Sequence, residues 1–464
     1  MGVLVMTTSP TPDRDFAIVI LAAGKGSRLK SKVHKVLHNI AGRPIIEHLM
    51  AQVSILEPAR TIVIVGDERE QVERQVGERA TCVVQEPQLG TGHAVAQARD
   101  ALADFDGDVI MLLGDAPFIK AATIVEMLER LRAGDAPAVV VLGFEPDDAL
   151  QYGRVITHAD MTIEKMVEYK DANEAERATR LCNSGLMAAR SSDLFDLLDR
   201  VDNQNAQGEF YLPDIVNVAV AENRTCAAVV APRPEEVLGI NSRKELAAAE
   251  RQWQDLRREE ALDAGVTLKA PETVFFSYDT ELEADVVVEP NVVFGPGTVV
   301  GRGTRIRAFS HLEGATVGED CVVGPYARLR PGAVMKNGSK VGNFVEMKQA
   351  VLGEGAKASH LTYLGDATVG AGANIGAGTI TCNYDGYFKY QTKIGERAFI
   401  GSNSALIAPV EIGDDAIVAA GSAVSRDVAS GELRMVRAEQ LVKPGWADRF
   451  HDAMKKKKAA EKKR

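Results

Sequence analysis

The second half of the chain carries an apolar residue at every sixth position. The register starts at Val288, slips once and then returns. The apolar positions are Val288, Phe294, Val300, Ile306 and Leu312, then Val317, Val323 and Leu329, and later Val341, Val369, Ile375, Ile394, Ile400, Leu406, Ile412, Val418 and Val424. A period of six fits neither an α-helix nor the alternation of a β-sandwich strand. We therefore predict a left-handed parallel β-helix of hexapeptide repeats over about residues 266–437, whose chemistry must take place on its outer surface.

The first half of the chain follows a different pattern. Short, almost wholly apolar runs alternate there with stretches of helical spacing, at residues 17–23, 61–65, 109–113 and 138–143. Such runs are typical of a parallel sheet covered on both faces by crossover helices, which predicts a Rossmann-like α/β domain. The next segment is rich in Glu, Arg, Leu and Ala, lacks proline and follows Asn241-Ser242, which can cap a helix. The predicted organisation is an α/β domain at residues 1–241, a linker helix at 242–265 and the β-helix with a basic tail at 266–464.

Composition and charge exclude several classes of protein. The chain has 464 residues, of which 45% are hydrophobic and 26% charged, as in an ordinary globular protein, and it has no run of roughly 20 apolar residues that could span a membrane. Its net charge of −11 argues against nucleic acid as a partner, and we expect the basic run at residues 455–464 to be a disordered end. Residues 1–12 look like a disordered extension rather than a signal peptide, so we expect a cytoplasmic protein with no membrane partner. Scattered cysteines suit free thiols and argue against zinc: Cys82, Cys182, Cys226, Cys321 and Cys382.

The first motif with chemical content directly follows the apolar run at residues 17–21. It extends from Leu21 to Arg28 as Leu-Ala-Ala-Gly-Lys-Gly-Ser-Arg, and Lys35 comes shortly after it. Glycines behind a strand let the backbone close on a phosphate, and Lys25, Arg28 and Lys35 add positive charge where a pyrophosphate would leave. The spacing is that of neither a Walker loop nor a Rossmann Gly-x-Gly-x-x-Gly fingerprint. Taken alone, the motif leaves an ordinary tight turn as the alternative to a phosphate site.

Further motifs follow along the first domain in a fixed order. They are Gln85, Leu89-Gly-Thr-Gly-His93, Leu113-Gly-Asp115, Tyr152-Gly-Arg154, Val167-Glu-Tyr-Lys-Asp171, Asn183-Ser-Gly185 and Gly239-Ile-Asn241. With the hexapeptide domain they resemble the bacterial bifunctional N-acetylglucosamine-1-phosphate uridylyltransferases and glucosamine-1-phosphate N-acetyltransferases, over about residues 16–445. The resemblance implies a homotrimer that transfers acetyl from acetyl-CoA to glucosamine-1-phosphate in the β-helix. It also implies that the first domain then transfers uridylyl from UTP to N-acetylglucosamine-1-phosphate, with Mg²⁺ as cofactor and pyrophosphate as product.

Asp115 is the metal ligand that the sequence itself offers. It follows the apolar run at residues 109–113, near the carboxyl edge of the predicted sheet, and a carboxylate suits Mg²⁺ better than its alternative role as a plain turn residue before Pro117. The resemblance adds Asn241 as the second ligand and implies uracil contacts for Gln85, Gly90 and Thr91 and sugar contacts for Gly153, Glu168 and Asn183. The full set that it implies for this domain is Leu21, Ala22, Ala23, Gly24, Arg28, Lys35, Gln85, Gly90, Thr91, Leu113, Gly114, Asp115, Gly153, Glu168, Asn183 and Asn241.

One departure from the family pattern lies directly before Lys35. The family usually has Leu-Pro-Lys where this chain has Val33-His34-Lys35. Proline fixes the backbone angle φ, so its loss predicts a looser loop in front of the lysine. We expect His34 to face solvent and to have no catalytic role.

The second group of candidate residues interrupts the hexapeptide spacing, so its members do not fill the β-helix interior. It comprises residues 328–332, 341–348, 360–366, Asn374 and 381–386. Acetyl transfer to an amine needs a base, and His360 is the candidate because it lies among Lys, Arg, Tyr and Asn residues. The resemblance assigns the same role to His360. It places Arg330, Lys348, Tyr363 and Asn374 on the amino sugar phosphate, and Ala377, Asn383, Tyr384, Ser402, Ala420 and Arg437 on acetyl-CoA, with Arg437 reaching the site of a neighbouring subunit.

Two alternative functions compete with this interpretation. In one, the protein is a monofunctional sugar-1-phosphate nucleotidyltransferase with a non-catalytic β-helix assembly module, and the cluster around His360 argues against it. In the other, the β-helix is a zinc enzyme of the γ-carbonic anhydrase type, which needs three histidine ligands where the repeat region has only His311 and His360. Direct acetyl transfer needs no acyl-enzyme, so we interpret Cys382 as a packed free thiol.

Overall fold

The computed structural model describes residues 14–149, 152–205 and 207–461, so the extension predicted at residues 1–12 lies outside the described residues. The chain divides into two compact units, one ending at Leu256 and the other beginning at Arg257. The boundary falls inside the helix Arg243–Asp263, where the sequence predicts the linker helix. In the described part of the chain no helix is both long and apolar enough to cross a membrane.

The first unit contains a mixed sheet with helices on both faces. Its central strands lie in the order Cys226–Val230, Val139–Phe144, Cys182–Arg190, Asp108–Leu113, Phe16–Leu21, Arg60–Val65 and Thr81–Val84. The strands predicted from apolar runs are all parallel to one another, whereas Cys182–Arg190 runs antiparallel to both of its neighbours. The sheet is therefore not the purely parallel one that the runs suggest. Shorter strands complete this unit: Arg154–Thr157 and Ile163–Val167 beside Cys182–Arg190, and the hairpin Asn39–Ile40 with Arg43–Pro44.

Alternate residues of the central strands enter two separate cores. Val19 and Met111 face one core, which the helices Thr91–Ala96, Ser191–Leu198 and Asp214–Ala221 cover. Ile18 and Ile110 face the other, which the helices Ile45–Ile55, Arg69–Val76 and Ala121–Leu131 cover. Both faces of the sheet are thus buried, which explains why the strands read as continuous apolar runs. The remaining helical segments are Glu174–Arg177 and the 3₁₀ turns Ser27–Leu29, Lys35–Leu37, Gly77–Arg79, Asp100–Leu102, Pro234–Val237 and Pro271–Thr273.

The second unit is the predicted left-handed parallel β-helix. All of the apolar residues on the period of six are buried, from Val288 to Val424. Each short strand pairs in parallel with the strand one coil further on, as Val287 does with Arg305. The strands are Thr267–Leu268, Glu281–Leu282, Val287–Val288, Val293–Phe294, Val299–Val300, Arg305–Ile306, His311–Leu312, Ala315–Val317, Val322–Val323, Arg328–Leu329, Ala333–Met335, Lys340–Asn343, Glu346–Leu352, Lys357–His360, Tyr363–Val369, Asn374–Ile375, Ile380–Cys382, Thr392–Ile394, Phe399–Ile400, Ala405–Ile407, Val410–Ile412, Ile417–Val418, Ala423–Val424 and Leu433–Arg434.

The basic C-terminal run differs from its prediction. The helix Trp446–Glu461 includes the run as far as residue 461, and none of its described side chains is buried. The expectation of a disordered end is therefore wrong for residues 455–461, while 462–464 lie outside the described residues. Strong helix formers such as Ala, Lys and Glu account for the helix without any packing.

Candidate active sites

The loop behind the strand Phe16–Leu21 forms one wall of a cavity of about 370 Å³. Many of the residues that the resemblance implies for nucleotide binding line this cavity: Leu21, Ala22, Ala23, Gly24, Lys35, Gln85, Gly90, Thr91, Leu113 and Asp115. Gly114 lies at its edge, where its N–H donates to Leu21 O at 2.9 Å. Gln88 and Glu209 also line the cavity, and the Gln88 amide donates to Ala23 O at 2.6 Å. The cavity joins the phosphate loop to the carboxyl edge of the sheet, as expected for a ligand site in an open α/β fold.

Asp115 and Asn241 converge on the amino group of Lys35. The Lys35 ammonium forms an ion pair with the Asp115 carboxylate, and it donates to Asn241 Oδ1 at 2.8 Å. Asn241 comes close to Asp115 because the Ile240 N–H donates to the Asp115 carbonyl at 3.0 Å. Gly239 leaves the carboxylate accessible, since a Cβ there would lie 3.3 Å from Asp115 Oδ2. The Asp115 carboxylate and the Asn241 amide oxygen thus face one point occupied by positive charge, and both are hard oxygen ligands of the kind that Mg²⁺ prefers.

The other basic residues of the phosphate loop lie differently from Lys35. Lys25 is exposed and pairs with Asp67, and Arg28 is exposed as well. Neither lines the cavity in this structure. The Lys35 side chain instead passes against Gly26, where an added Cβ would lie only 2.6 Å from the lysine Cβ. Of the three loop cations named from the sequence, the structure brings only Lys35 to Asp115.

The predicted uracil residues form one connected group. The amide of the buried Gln85 donates to the Gly90 carbonyl at 2.9 Å. Gly90 has a φ of 111°, and a Cβ there would lie 2.5 Å from Phe210 O, so only glycine fits. The Thr91 hydroxyl accepts from the Leu212 N–H at 3.0 Å. The loop is therefore held rigidly around Gln85, which can read an imide edge.

The predicted sugar residues also lie together. The Asn183 N–H donates to Gly153 O at 2.9 Å, and a Cβ on Gly153 would lie 3.3 Å from Glu168 Oε1. Burial, followed by the negative charge of Asp171, raises the pKa of Glu168 above its ordinary value. A carboxyl group at this place can hydrogen-bond to sugar hydroxyls.

His34 is buried, not exposed as the sequence suggested. Only 3% of its surface is accessible, and neither ring nitrogen has a hydrogen-bond partner among the described residues. Burial lowers the pKa of His34, an effect that Glu68 opposes and that Lys35 and His38 reinforce. The expectation failed because an imidazole can fill an apolar space in its neutral form. The backbone at His34 has φ −56°, a value that proline would also allow.

In the β-helix, His360 is paired with Asn343, a member of the candidate segment 341–348 for which the sequence predicted no individual role. The Asn343 side-chain oxygen lies 2.6 Å from His360 Nδ1, across one coil of the β-helix. An amide oxygen can only accept, so Nδ1 carries the proton and Nε2 is free to act as a base. His360 itself is exposed, as contact with a substrate requires.

A cluster of positive charge lies on the coils next to His360. Lys389 and Arg330 both lower the pKa of Lys348, with Lys389 having the larger effect. Arg330 is held by Glu346 at 2.7 Å. Glu346 and Asp366 offset part of this charge, but three cations this close together still indicate a site for an anion. Lys389 was missed because it lies on the loop that follows Tyr384, where the hexapeptide period gives no signal.

The residues assigned to acetyl-CoA form a column on successive coils. The Asn403 N–H donates to Ala377 O at 2.7 Å, and the Gly421 N–H donates to Ser402 O at 2.8 Å. The Arg437 side chain passes beside Gly421, where a Cβ would lie 3.6 Å from its Cδ. The column begins near the base, because the Gly378 N–H donates to His360 O at 3.3 Å. Ala420 lies next to Gly421 in this column.

Three of the remaining assigned residues, Tyr363, Asn383 and Tyr384, lie at Gly365 or on the loop that follows. Asn383 donates to Asp366 Oδ2 at 2.5 Å, and Tyr384 is 61% exposed. A Cβ on Gly365 would collide with the Tyr363 hydroxyl and lie 2.7 Å from Asn383 Nδ2, so these two side chains meet there. Asn374 lies two coils from Lys340, in register with Lys357.

Cys382 is exposed, so the expectation of a packed thiol is wrong.

Comparisons with known proteins identify a family for a segment of each unit. Residues 18–184 match a MobA-like NTP transferase domain, and residues 391–426 match the hexapeptide repeat of succinyl-transferase. The bifunctional protein GlmU of Sphingopyxis alaskensis is 69% identical over 97% of this chain and 99% of its own length. Those of Novosphingobium aromaticivorans and Zymomonas mobilis are 68% and 53% identical over 97% and 96% of this chain, and both are covered over their whole length.

The chain belongs to the bifunctional GlmU family. It is therefore an enzyme that makes UDP-N-acetylglucosamine by acetyl transfer from acetyl-CoA to glucosamine-1-phosphate and uridylyl transfer from UTP to the product. This membership decides against a monofunctional nucleotidyltransferase and against a zinc enzyme of the carbonic anhydrase type.

Proposed function

We propose that the residues around Asp115 carry uridylyl transfer and the residues around His360 carry acetyl transfer, each in its own unit. The observation that supports this most strongly is the convergence of Asp115, Asn241 and Lys35 in the first unit, together with the His360–Asn343 pair in the second. One constellation combines hard oxygen ligands with a cation, whereas the other combines an oriented imidazole with cations. Phosphoryl chemistry needs the first kind of site, and acyl transfer to an amine needs the second.

Uridylyl transfer depends on positioning and on charge. A phosphate oxygen of N-acetylglucosamine-1-phosphate attacks the α-phosphorus of UTP, and the bond to the departing pyrophosphate breaks. The backbone of residues 21–24 and the Lys35 ammonium hold the phosphates, while Gly153, Glu168 and Asn183 hold the sugar. Asp115 and Asn241 would hold Mg²⁺, which supplies positive charge to the phosphate oxygens.

Acetyl transfer depends on the free nitrogen of His360. Nε2 takes a proton from the amino group of glucosamine-1-phosphate as the amine attacks the thioester carbonyl. The C–N bond forms, the C–S bond breaks, and coenzyme A leaves as its thiol after receiving a proton. Asn343 keeps the ring in the required tautomer. Arg330, Lys348 and Lys389 hold the sugar phosphate.

We further propose that the protein works as a cytoplasmic homotrimer. An exposed stack of rings supports a surface for other copies of the chain: Phe309 and Tyr326 lie 4.9 Å apart, and Tyr326 and Phe344 lie 5.2 Å apart. The stack continues at the exposed Leu361, next to His360. Contiguous exposed apolar surface is typical of an interface. The five cysteines are all free in the structure, which suits a reducing compartment.

The test of the assignment is the pair of substitutions Asp115→Asn and His360→Ala. Asp115→Asn removes the charge that would bind Mg²⁺, so uridylyl transfer from UTP should be lost and acetyl transfer kept. His360→Ala should lower acetyl transfer by about 10²–10⁴-fold and leave uridylyl transfer intact. Both rates are measured on each purified variant, with the Mg²⁺ concentration varied. A folded variant that loses both activities would overturn the assignment.

A further inference from the structure

Lys35 needs a fixed backbone, because its ammonium must meet Asp115 and Asn241 at the same time. The residue before it, His34, adopts φ −56° and ψ 144° at the start of the 3₁₀ turn Lys35–Leu37. A histidine does not fix these angles by itself, since its φ is free within the whole β region. The Leu37 N–H donates to the His34 carbonyl at 2.9 Å, so the side of this residue that still needs a partner is its N–H.

The side chain of Gln71, on the helix Arg69–Val76, provides this partner. Its Oε1 accepts from the His34 backbone N–H at 3.2 Å. Its Nε2 donates to the Lys32 carbonyl at 3.2 Å and to Glu68 Oε2 at 3.3 Å. The Gln71 amide thus hydrogen-bonds to the loop backbone at two points directly before Lys35. The helix fixes the position of Gln71 itself.

The buried imidazole of His34 cannot replace these two hydrogen bonds. Neither ring nitrogen has a hydrogen-bond partner among the described residues, so the ring fills space but does not direct the backbone. The Val33 N–H donates to Ser31 Oγ at 3.0 Å within the same loop, and the Val33 backbone also interacts with the His38 imidazole just after the 3₁₀ turn. The Gln71 side chain joins the backbone of this stretch to the helix Arg69–Val76 by two hydrogen bonds.

We propose that Gln71 is a positioning residue for uridylyl transfer, which holds the segment Lys32–His34 so that Lys35 reaches the phosphates. This rests on the proposed role of Lys35. The Gln71 amide restrains the backbone by hydrogen bonds, whereas a residue with a fixed φ would restrain it covalently. Gln71 touches neither substrate nor metal ligand, so its effect passes through Lys35.

Gln71→Ala tests the proposal, with Gln75→Ala as the matched control. Gln75 is the same residue type one turn further along the same helix, but its amide donates to Glu47 at 3.0 Å and does not contact the loop. Gln71→Ala should lower kcat/KM for UTP about tenfold, the effect of one or two ordinary hydrogen bonds. Gln75→Ala should leave it within about twofold, and acetyl transfer should be unchanged in both variants. Gln71→Ala with wild-type uridylyl transfer would overturn the proposal.

Rescue by a fixed backbone angle separates positioning from a general effect on folding. Proline at position 34 would fix φ near the observed −56° and would make the Gln71 bond to the N–H unnecessary. In the His34→Pro background, Gln71→Ala should therefore cost less than about twofold. The same tenfold loss in that background, in a protein that folds, would contradict the proposal.

A second double-variant cycle covers the case in which His34→Pro does not fold. In a Lys35→Ala background, Gln71→Ala should have no further effect, because its influence passes through Lys35. An additional tenfold loss there would show that Gln71 acts in another way. If Lys35→Ala itself leaves uridylyl transfer intact, the proposed function of Lys35 fails, and the proposal for Gln71 fails with it.

Discussion

His34, His38 and His48 lie in the first unit, and burial is the largest cause that lowers the pKa of each imidazole. The folded protein therefore holds them neutral at a pH where an unfolded chain would already bind protons. The ordinary pKa of histidine is 6.5. Above that pH neither state gains a proton, so the stability is complete. As the pH falls below 6.5, the unfolded state binds more protons and the free energy of unfolding decreases.

The prediction for His34 concerns this loss at acid pH. His34→Leu removes one buried titrating group, so the unfolding free energy of the first unit should fall less between pH 7.5 and pH 5.5 than it does in the wild type. Urea unfolding at both pH values measures the difference. His158→Gln is the control, because His158 is exposed. An equal pH dependence in the wild type and in His34→Leu would contradict the burial of an unpaired imidazole.

Asn343 offers a second prediction at the level of one residue. Asn343→Ala removes the acceptor for His360 Nδ1–H, so the ring can rotate and can take the wrong tautomer. Acetyl transfer should fall by roughly 10- to 100-fold, less than the loss caused by removing the base itself. The loss should appear mainly in kcat, while uridylyl transfer stays constant. A wild-type kcat would show that the contact does not orient the base.

The helix Arg243–Asp263 shows how one element serves the first site. The Ser242 hydroxyl accepts from the Glu245 N–H at 3.3 Å, and Glu245 accepts from the Asn241 N–H at 2.6 Å. This cap fixes Asn241 next to the start of the helix. Ala249 packs in a small core with Ile40, Ile45 and Ile240, and Trp253 packs against the same core.

A chain that ends after Leu256 should therefore keep the first activity. It retains the cap, the small core and the entire first compact unit. We expect Mg²⁺-dependent UDP-N-acetylglucosamine synthesis from N-acetylglucosamine-1-phosphate and UTP, without acetyl transfer. Measuring both reactions on the shortened chain decides the matter. Loss of uridylyl transfer from a folded fragment would mean that residues after Leu256 contribute to the first site.

How far the sequence predicts each element depends on how local its cause is. The period of six predicts the β-helix because every coil repeats the same local pattern around Val300 or Ile400. The antiparallel strand Cys182–Arg190 was not predicted, because its direction is set by pairing with strands that are distant in sequence. The pairing of Asn343 with His360 was not predicted for a similar reason, because only the coil register brings the two residues together. The prediction that His34 faces solvent was wrong, because the burial of a side chain depends on the helices that cover it.

At the scale of the whole molecule, the proposed trimer would allow two chains to complete one acetyltransferase site. His360 lies near one end of the acetyl-CoA column, whereas Arg437 lies beyond the last strand beside Gly421. If Arg437 serves a neighbouring chain, mixing His360→Ala and Arg437→Ala proteins should restore roughly a quarter of the sites after random subunit exchange. Acetyl transfer is assayed on mixed trimers verified by mass spectrometry. No recovery would place both residues in one subunit.

The central claim is that the two reactions use separate residue sets and are linked only by a free intermediate. The most direct measurement mixes Asp115→Asn with His360→Ala and supplies glucosamine-1-phosphate, acetyl-CoA, UTP and Mg²⁺. Each variant alone should make little or no UDP-N-acetylglucosamine. In the mixture the first variant acetylates and the second transfers uridylyl, so mass spectrometry should detect the product at a rate close to that of the wild type. If two folded variants together give no more product than either one alone, the two sites are not independent and the account is wrong.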